Sequence, residues 1–244
     1  MNLEIINTQN IGKIDLESEA LFLIDKPTGW TSFDVVNKLR YTLRRITGNK
    51  KIKVGHAGTL DPMATGLLLV CSGKATKKID FLQGMPKTYT GTLKLGATTA
   101  SYDSEMPEEH FFETAHITPE KIEAVRQKFL GEQAQVPPIF SAIKKDGQPL
   151  YKIARQGESV EIEPRQVFIY DFKITNLEMP FVDFEVACSK GTYIRSLAFD
   201  FGKSLESGAY LTALRRTKIG DYSVDAAWEI NDLCNALENV NQAE

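Results

Sequence analysis

Cysteine and histidine are both scarce in this chain. The three cysteines, Cys71, Cys188 and Cys234, are too few and too scattered for a disulfide framework or a CxxC metal knuckle, which points to a reducing cytoplasm. The three histidines, His56, His110 and His116, show neither HxxxH nor HExxH spacing, so no catalytic zinc is expected. No apolar run approaches the roughly 20 residues of a bilayer span. The polar, acidic N-terminus lacks the basic and apolar regions of a secretory leader. Gly66 to Gly73-Lys74-Ala75 fails as a phosphate loop, because six residues separate the glycines instead of four and Ala75 stands where the magnesium-binding hydroxyl belongs. A Gly-x-Ser-x-Gly elbow, an internal repeat and a low-complexity linker are also missing.

What remains is a chain of 244 residues, 42% hydrophobic and 25% charged, with a length and composition that suit one large globular domain. Its net charge of -3 argues against a nucleic-acid partner only as an average. Between Lys26 and Lys87, twelve Lys or Arg stand against Asp34, Asp61 and Asp80, a local balance of +9 that leaves -12 for the remainder. Phosphate binding depends on the local field, although a solvated helix face rich in Lys and Arg has the same composition.

The apolar run Leu21 to Ile24 ends at Asp25-Lys26-Pro27-Thr28-Gly29 and reads as a buried strand stopped by a turn. Thr31 or Ser32 then caps a helix in which Val35, Val36, Leu39, Leu43 and Ile46 recur at helical spacing, with Lys38, Arg40, Arg44 and Arg45 on the remaining surface, until Gly48-Asn49 ends it. Lys50 to Gly58 reads as a basic loop leading to a turn at Asp61-Pro62, followed by a buried strand over Leu67 to Cys71. Lys87 to Leu95 alternates as a half-buried strand. The acidic stretch Ser101 to Glu113 reads as an exposed loop, and Thr118-Pro119 starts a helix. Val136 to Gly147 suggests a projecting loop or hairpin, followed by a short helix from Leu150 to Gln156 that Gly157 stops. Strands over Val167 to Ile174 and Phe181 to Cys188, a helix over Tyr193 to Leu205, a strand over Leu211 to Ile219 and a helix from about Val224 complete an α+β chain. Without a strict βαβ rhythm, a mixed, mostly antiparallel central sheet flanked by helices is expected.

The densest punctuation is Gly55-His56-Ala57-Gly58-Thr59-Leu60-Asp61-Pro62-Met63-Ala64-Thr65-Gly66. Its carboxylate beside a proline fits a catalytic acid and equally an Asx-type turn or helix cap. Taken with Lys26-Pro27-Thr28-Gly29-Trp30-Thr31-Ser32, Lys87-Thr88-Tyr89, Lys190-Gly191-Thr192-Tyr193-Ile194-Arg195 and Leu214-Arg215-Arg216, the order closely resembles the bacterial tRNA pseudouridine-55 synthases, the TruB family. The resemblance runs from about Leu21 to Asp221, and Gln135 to Tyr170 looks like that family's characteristic insertion.

The resemblance implies an isomerase that flips a uridine out of the T loop of tRNA and needs no cofactor or metal. It makes Asp61 the catalytic carboxylate, Tyr89 the active-site tyrosine and Arg195 the cation that pairs with Asp61. His56 fills the space left by the flipped nucleotide, and Tyr193 and Leu214, with Tyr89, line the uridine pocket. Lys144, Lys145, Lys152, Arg155, Arg215 and Arg216 are candidates for the RNA backbone. The expected organisation is an N-terminal segment over 1–20, a catalytic domain over 21–223 with its RNA-gripping insertion at about 135–170, and a C-terminal helix and tail over 224–244 in place of a full PUA-like domain. The implied partner is the T arm of tRNA, bound by a monomer, with no membrane or DNA. A T-arm-binding RNA-folding chaperone fits the same basic surface and is compatible with catalysis. A carboxylate hydrolase using Asp61 with His56 explains neither Tyr89 and Arg195 nor the basic half.

Overall fold

Strand β2 (Ala20–Lys26), next to the end strand of the main sheet, is buried on both faces along most of its length. Ala20, Phe22 and Ile24 enter one apolar cluster and Leu21 and Leu23 another, so both faces are covered and the strand reads as continuous apolar sequence. The computed structural model describes residues 3–12, 15–16, 19–141, 143–145, 147–156 and 160–242; the side chains of Glu4, Lys144, Lys145, Arg155, Asn241 and Gln242 lie outside the description. The fold is α+β, with a mixed central sheet flanked by helices. The chain divides into two units, one of residues 1–89 and 215–244, the other of 90–214.

In the first unit, β1 (Glu4–Ile5) lies parallel to β2. Helix α1 (Ser32–Thr47) begins with a capping box, in which Thr31 Oγ1 accepts from the Asp34 N–H and the Asp34 carboxylate accepts from the Thr31 N–H. It ends at Gly48 in the left-handed conformation. The expected basic loop contains a strand, β3 (Val54–His56), because its residues pair antiparallel with Cys71 and its neighbours in β4 (Thr65–Ser72). A 3-10 turn over Gly73–Lys78 and α2 (Ile79–Gly84) follow, and β5 (Lys87–Leu95) carries the chain into the second unit.

There β6 (Ala97–Thr99) pairs antiparallel with β7 (Glu108–Phe111), and β7 lies inside the stretch from Ser101 to Glu113 expected to be loop. Helix α3 (Pro119–Lys128) starts at the Thr118 cap, and β8 (Gly131–Gln135) forms a sheet edge. The hairpin of β9 (Lys144–Lys145) and β10 (Gln148–Pro149) stands before α4 (Leu150–Arg155); Asp146 and Gly157 lie outside the described residues. Strand β11 (Arg165–Glu178), longer at both ends than its apolar run, pairs with β8 and β12 (Phe181–Cys188). Thus both ends of the expected insertion belong to the sheet. Helix α5 (Ile194–Ser204) packs on this sheet through edge-on contacts of Phe129, Phe172, Phe184 and Phe201.

Strand β13 (Ala209–Ile219) returns to the first unit, where Arg215 and Arg216 pair in parallel with Thr65 and Gly66 of β4. The C-terminal helix begins later than Val224. After β14 (Tyr222–Ser223), residues Val224–Ala226 make a 3-10 turn and β15 (Trp228–Glu229) pairs with Ile24 and Asp25 before α6 (Ile230–Gln242) starts and packs on α1. Sheet pairing at Trp228 therefore overrides the helical pattern.

Gly66 is the tightest backbone approach in the first unit. With φ at +101°, its Cβ position lies 2.3 Å from the Arg216 carbonyl oxygen. Gly58, with φ at +100°, meets only the Arg216 guanidinium at 3.5 Å. Gly66→Ala is expected to lose at least about 2 kcal/mol and Gly58→Ala about 1 kcal/mol, because only the first adds a backbone clash to the conformational cost. Urea unfolding of the two variants checks the order, and equal losses would refute the close approach.

Candidate functional site

The site is built first on the loop between β3 and β4. Lys26, at the end of β2, is fully buried, and its Nζ donates to the carbonyls of Trp30 (2.6 Å), Pro27 (2.9 Å) and Pro62 (3.3 Å). Arg216, 1% exposed, donates from Nε to the Leu67 carbonyl at 2.7 Å and from its NH2 nitrogen to the Gly58 carbonyl at 3.0 Å. Ser32 Oγ accepts from the Leu60 N–H at 2.8 Å and lies 3.2 Å from the Leu60 carbonyl, while Gly29 N–H donates to Pro62 O at 2.8 Å. Buried cations need acceptors, and main-chain carbonyls of this loop, Gly58 and Pro62, and of the segments beside it, Pro27, Trp30 and Leu67, supply them. Asp61 therefore sits half-buried in a loop fixed on both sides, with its backbone carbonyl accepting from Ala64.

His56 ends β3 before this loop. Burial, then the Arg216 charge, pushes its pKa below the ordinary imidazole value, and the Gly58 backbone opposes that shift. Tyr89, 8% exposed, occupies the buried face of β5. Two of the candidates for the RNA backbone have protein partners in this unit. Arg216 is internal and holds loop carbonyls. Arg215 gives both terminal nitrogens to the Asp25 carboxylate, at 3.0 and 2.6 Å, because Asp25 lies within its reach.

In the second unit, Arg195 lies on the buried side of α5 and is 5% exposed. Its guanidinium donates to the carbonyls of Ser101 (3.1 Å) and Phe140 (3.0 Å), and its Nε stands 3.5 Å from the Asp103 carboxylate. Asp103 is 1% exposed and accepts from Ser101 Oγ at 2.5 Å and from the Glu105 N–H at 3.0 Å. The sequence reading missed it by treating Ser101 to Glu113 as one exposed acidic loop; the small, uncharged residues Thr98 to Ser101 just before it were the available sign of burial. Tyr193 precedes α5 with the Arg165 guanidinium 5.6 Å from its ring centre, and Leu214 is buried in β13. Lys152 is exposed on α4, whereas the side chains of Lys144, Lys145 and Arg155 lie outside the described ones. Among the described residues no cluster of three or more His, Cys, Asp and Glu suits a metal ion, and no helix is long and apolar enough to cross a membrane.

Residues 44–194 match the family model described as TruB family pseudouridylate synthase (N terminal domain). The chain is 60% identical over 216 residues to the tRNA pseudouridine synthase B of Flavobacterium johnsoniae, covering 88% of this chain and 94% of the relative. It is 47% identical over 225 residues to that of Parabacteroides distasonis, covering 92% and 96%. Among solved structures it is similar to a chain of an H/ACA RNP bound to a substrate RNA containing 2'-deoxyuridine, with a TM-score of 0.63 and 27% identity over 88% of this chain and 52% of that one. A chain of a Cbf5-Nop10-Gar1 complex gives a TM-score of 0.64 and 28% identity, covering 88% and 53%. This chain thus spans about half the length of those two structures' chains.

The lowered His56 pKa makes stability depend on pH. Above the unfolded value of about 6.5 the ring is neutral in both states; below it the unfolded chain takes up a proton that the folded site resists. Wild-type protein is expected to lose up to about 1 kcal/mol between pH 7 and pH 5.5 beyond the loss in His56→Gln. Urea midpoints across that range measure the difference, and a wild-type slope no steeper than the variant's would show that the folded site accepts the proton.

Proposed function

Because the chain belongs to the TruB family of pseudouridylate synthases, and is thus an isomerase of uridine in RNA, we propose that its substrate is the uridine at position 55 in the T loop of tRNA and that Asp61 is its catalytic carboxylate. The reaction breaks the C1′–N1 bond, turns the base while bound and forms the C1′–C5 bond; C5 loses a proton and N1 gains one, so composition and redox state are unchanged. Asp61 acts as nucleophile or as the anion that stabilises a cationic sugar. The observation that carries the reading is the loop that holds it, tied to buried Lys26 and Arg216 in a chain whose family match includes the whole loop. A carboxylate held before substrate arrives needs no reorganisation in the transition state.

Tyr89 offers a flat ring to the flipped base, and Tyr193 and Leu214 complete the uridine pocket. His56 occupies the place vacated by the nucleotide; a neutral ring suits stacking without an added charge. Arg195 supplies the opposite charge that keeps Asp61 ionised, and Asp103 with the Ser101 and Phe140 carbonyls aims its planar fork. Grip on the T arm comes from cations, among them exposed Lys152, Lys38, Arg44, Lys50, Lys51 and Lys53. The protein acts as a monomer in the cytoplasm.

The experiment is conversion of uridine in a synthetic T-arm hairpin, read by pseudouridine-selective derivatisation. Asp61→Asn should abolish turnover while RNA affinity stays within about twofold, since phosphate contacts are untouched. Substantial product from the purified variant would sink the assignment. Arg195→Lys keeps the charge but loses the fork, so turnover should fall at least about tenfold, roughly 1.4 kcal/mol of transition-state stabilisation. Wild-type turnover there would leave Arg195 a role in the fold alone.

A further inference from the structure

The start of α5 is held at three points by the six residues that follow Ala134. Gln135, 4% exposed at the end of edge strand β8, turns its side-chain amide on the Tyr193 peptide: the Tyr193 N–H donates to Oε1 at 2.8 Å and Nε2 donates to the Tyr193 carbonyl at 3.0 Å. One residue on, the Val136 carbonyl accepts from Ser196 Oγ at 2.7 Å, and the Phe140 carbonyl accepts from Arg195. Helix α5 has no side-chain cap at Tyr193, and this amide does for the peptide what a neighbouring strand would do. The same Gln135 pairs in register with Arg165, whose guanidinium lies over the Tyr193 ring. Backbone and ring of Tyr193 are thus both set from one rung of the β8–β11 ladder. Buried Pro137 and Pro138 fix the chain direction between the Val136 and Phe140 contacts.

We propose that Gln135 is a positioning residue for pseudouridine formation, setting the Tyr193 backbone and, two residues on, the direction of Arg195. The inference rests on the reading that Tyr193 and Arg195 serve the uridine site. It makes the strand that enters the inserted segment part of the catalytic frame, so that the orientation of the reacting base depends on a residue that never touches it. A misplacement of an ångström at such a frame is enough to lower turnover steeply while binding energy, gathered on phosphates elsewhere, stays intact.

Gln135→Glu keeps the shape and the acceptor for the Tyr193 N–H but sets a carboxylate against the Tyr193 carbonyl. Single-turnover rate at saturating T-arm hairpin should fall about tenfold, with the hairpin's dissociation constant within about twofold of wild type. In an Arg195→Lys background the same change should lower the rate by less than about twofold, because the group it aims is already lost. A purely structural role would instead lower the folded fraction and act equally in both backgrounds. Gln133→Ala removes the amide two residues earlier, which reaches the Lys128 and Leu130 carbonyls, and should leave the rate unchanged. Should Gln135→Glu fail to fold, Ser196→Ala, which removes only the Val136 contact, should still show a slower rate with unchanged affinity. A wild-type rate in Gln135→Glu, or in Ser196→Ala where the first variant is unfolded, would overturn the inference. So would loss of affinity at an unchanged saturated rate, or an undiminished effect in the Arg195→Lys background. Absence of conversion by wild-type protein would overturn the functional reading and this inference with it.

Discussion

The structure around Asp61 depends on the burial of two cations, Lys26 and Arg216, that donate to a set of main-chain carbonyls. An ammonium or guanidinium removed from water is strongly destabilised unless its donors are filled. Lys26 donates to the Pro27, Trp30 and Pro62 carbonyls, and Arg216 spans Gly58 and Leu67. The loop therefore cannot relax without stranding a buried charge, and this couples its shape to the stability of the whole unit. Gly66 completes the constraint, since it pairs with Lys26 on one side and Arg216 on the other and leaves no room for a side chain.

The second unit repeats the device with a different balance of charge. Arg195 also donates to carbonyls, those of Ser101 and Phe140, but a buried carboxylate, Asp103, stands beside its Nε. The planar fork reaches three groups at fixed angles, which a lysine cannot do. A single-turn geometry at the head of α5 is thereby held by segments distant in sequence, and the helix needs no cap of its own.

Electrostatics divides along the same line. The twelve cations between Lys26 and Lys87 suggested a basic surface, yet Lys26 and Lys87 are internal and donate to carbonyls, Arg45 pairs with Glu238, and Lys78 pairs with Glu19. Lys38, Arg44, Lys50, Lys51, Lys53, Lys74 and Lys77 remain exposed. The field available to an RNA backbone is thus smaller than the composition implies.

The sequence by itself determined the elements whose signals are local. Thr31 with Asp34, Thr118 with Pro119 and the alternation from Lys87 to Leu95 act within a few residues, so the caps of α1 and α3 and the strand β5 were legible. The family resemblance carried by the short motifs also marked Asp61, Tyr89 and Arg195 as candidates. Tertiary structure decided what depends on distant partners. Trp228 was drawn into the sheet by Ile24, Val54 to His56 became a strand on meeting β4, and Asp103 was buried by Arg195 ninety-two positions away. Arg216 looked like a surface cation because charge is visible in a sequence and burial is not: whether a guanidinium meets phosphate or carbonyl is settled by the parallel pairing of β13 with β4, which no local pattern encodes.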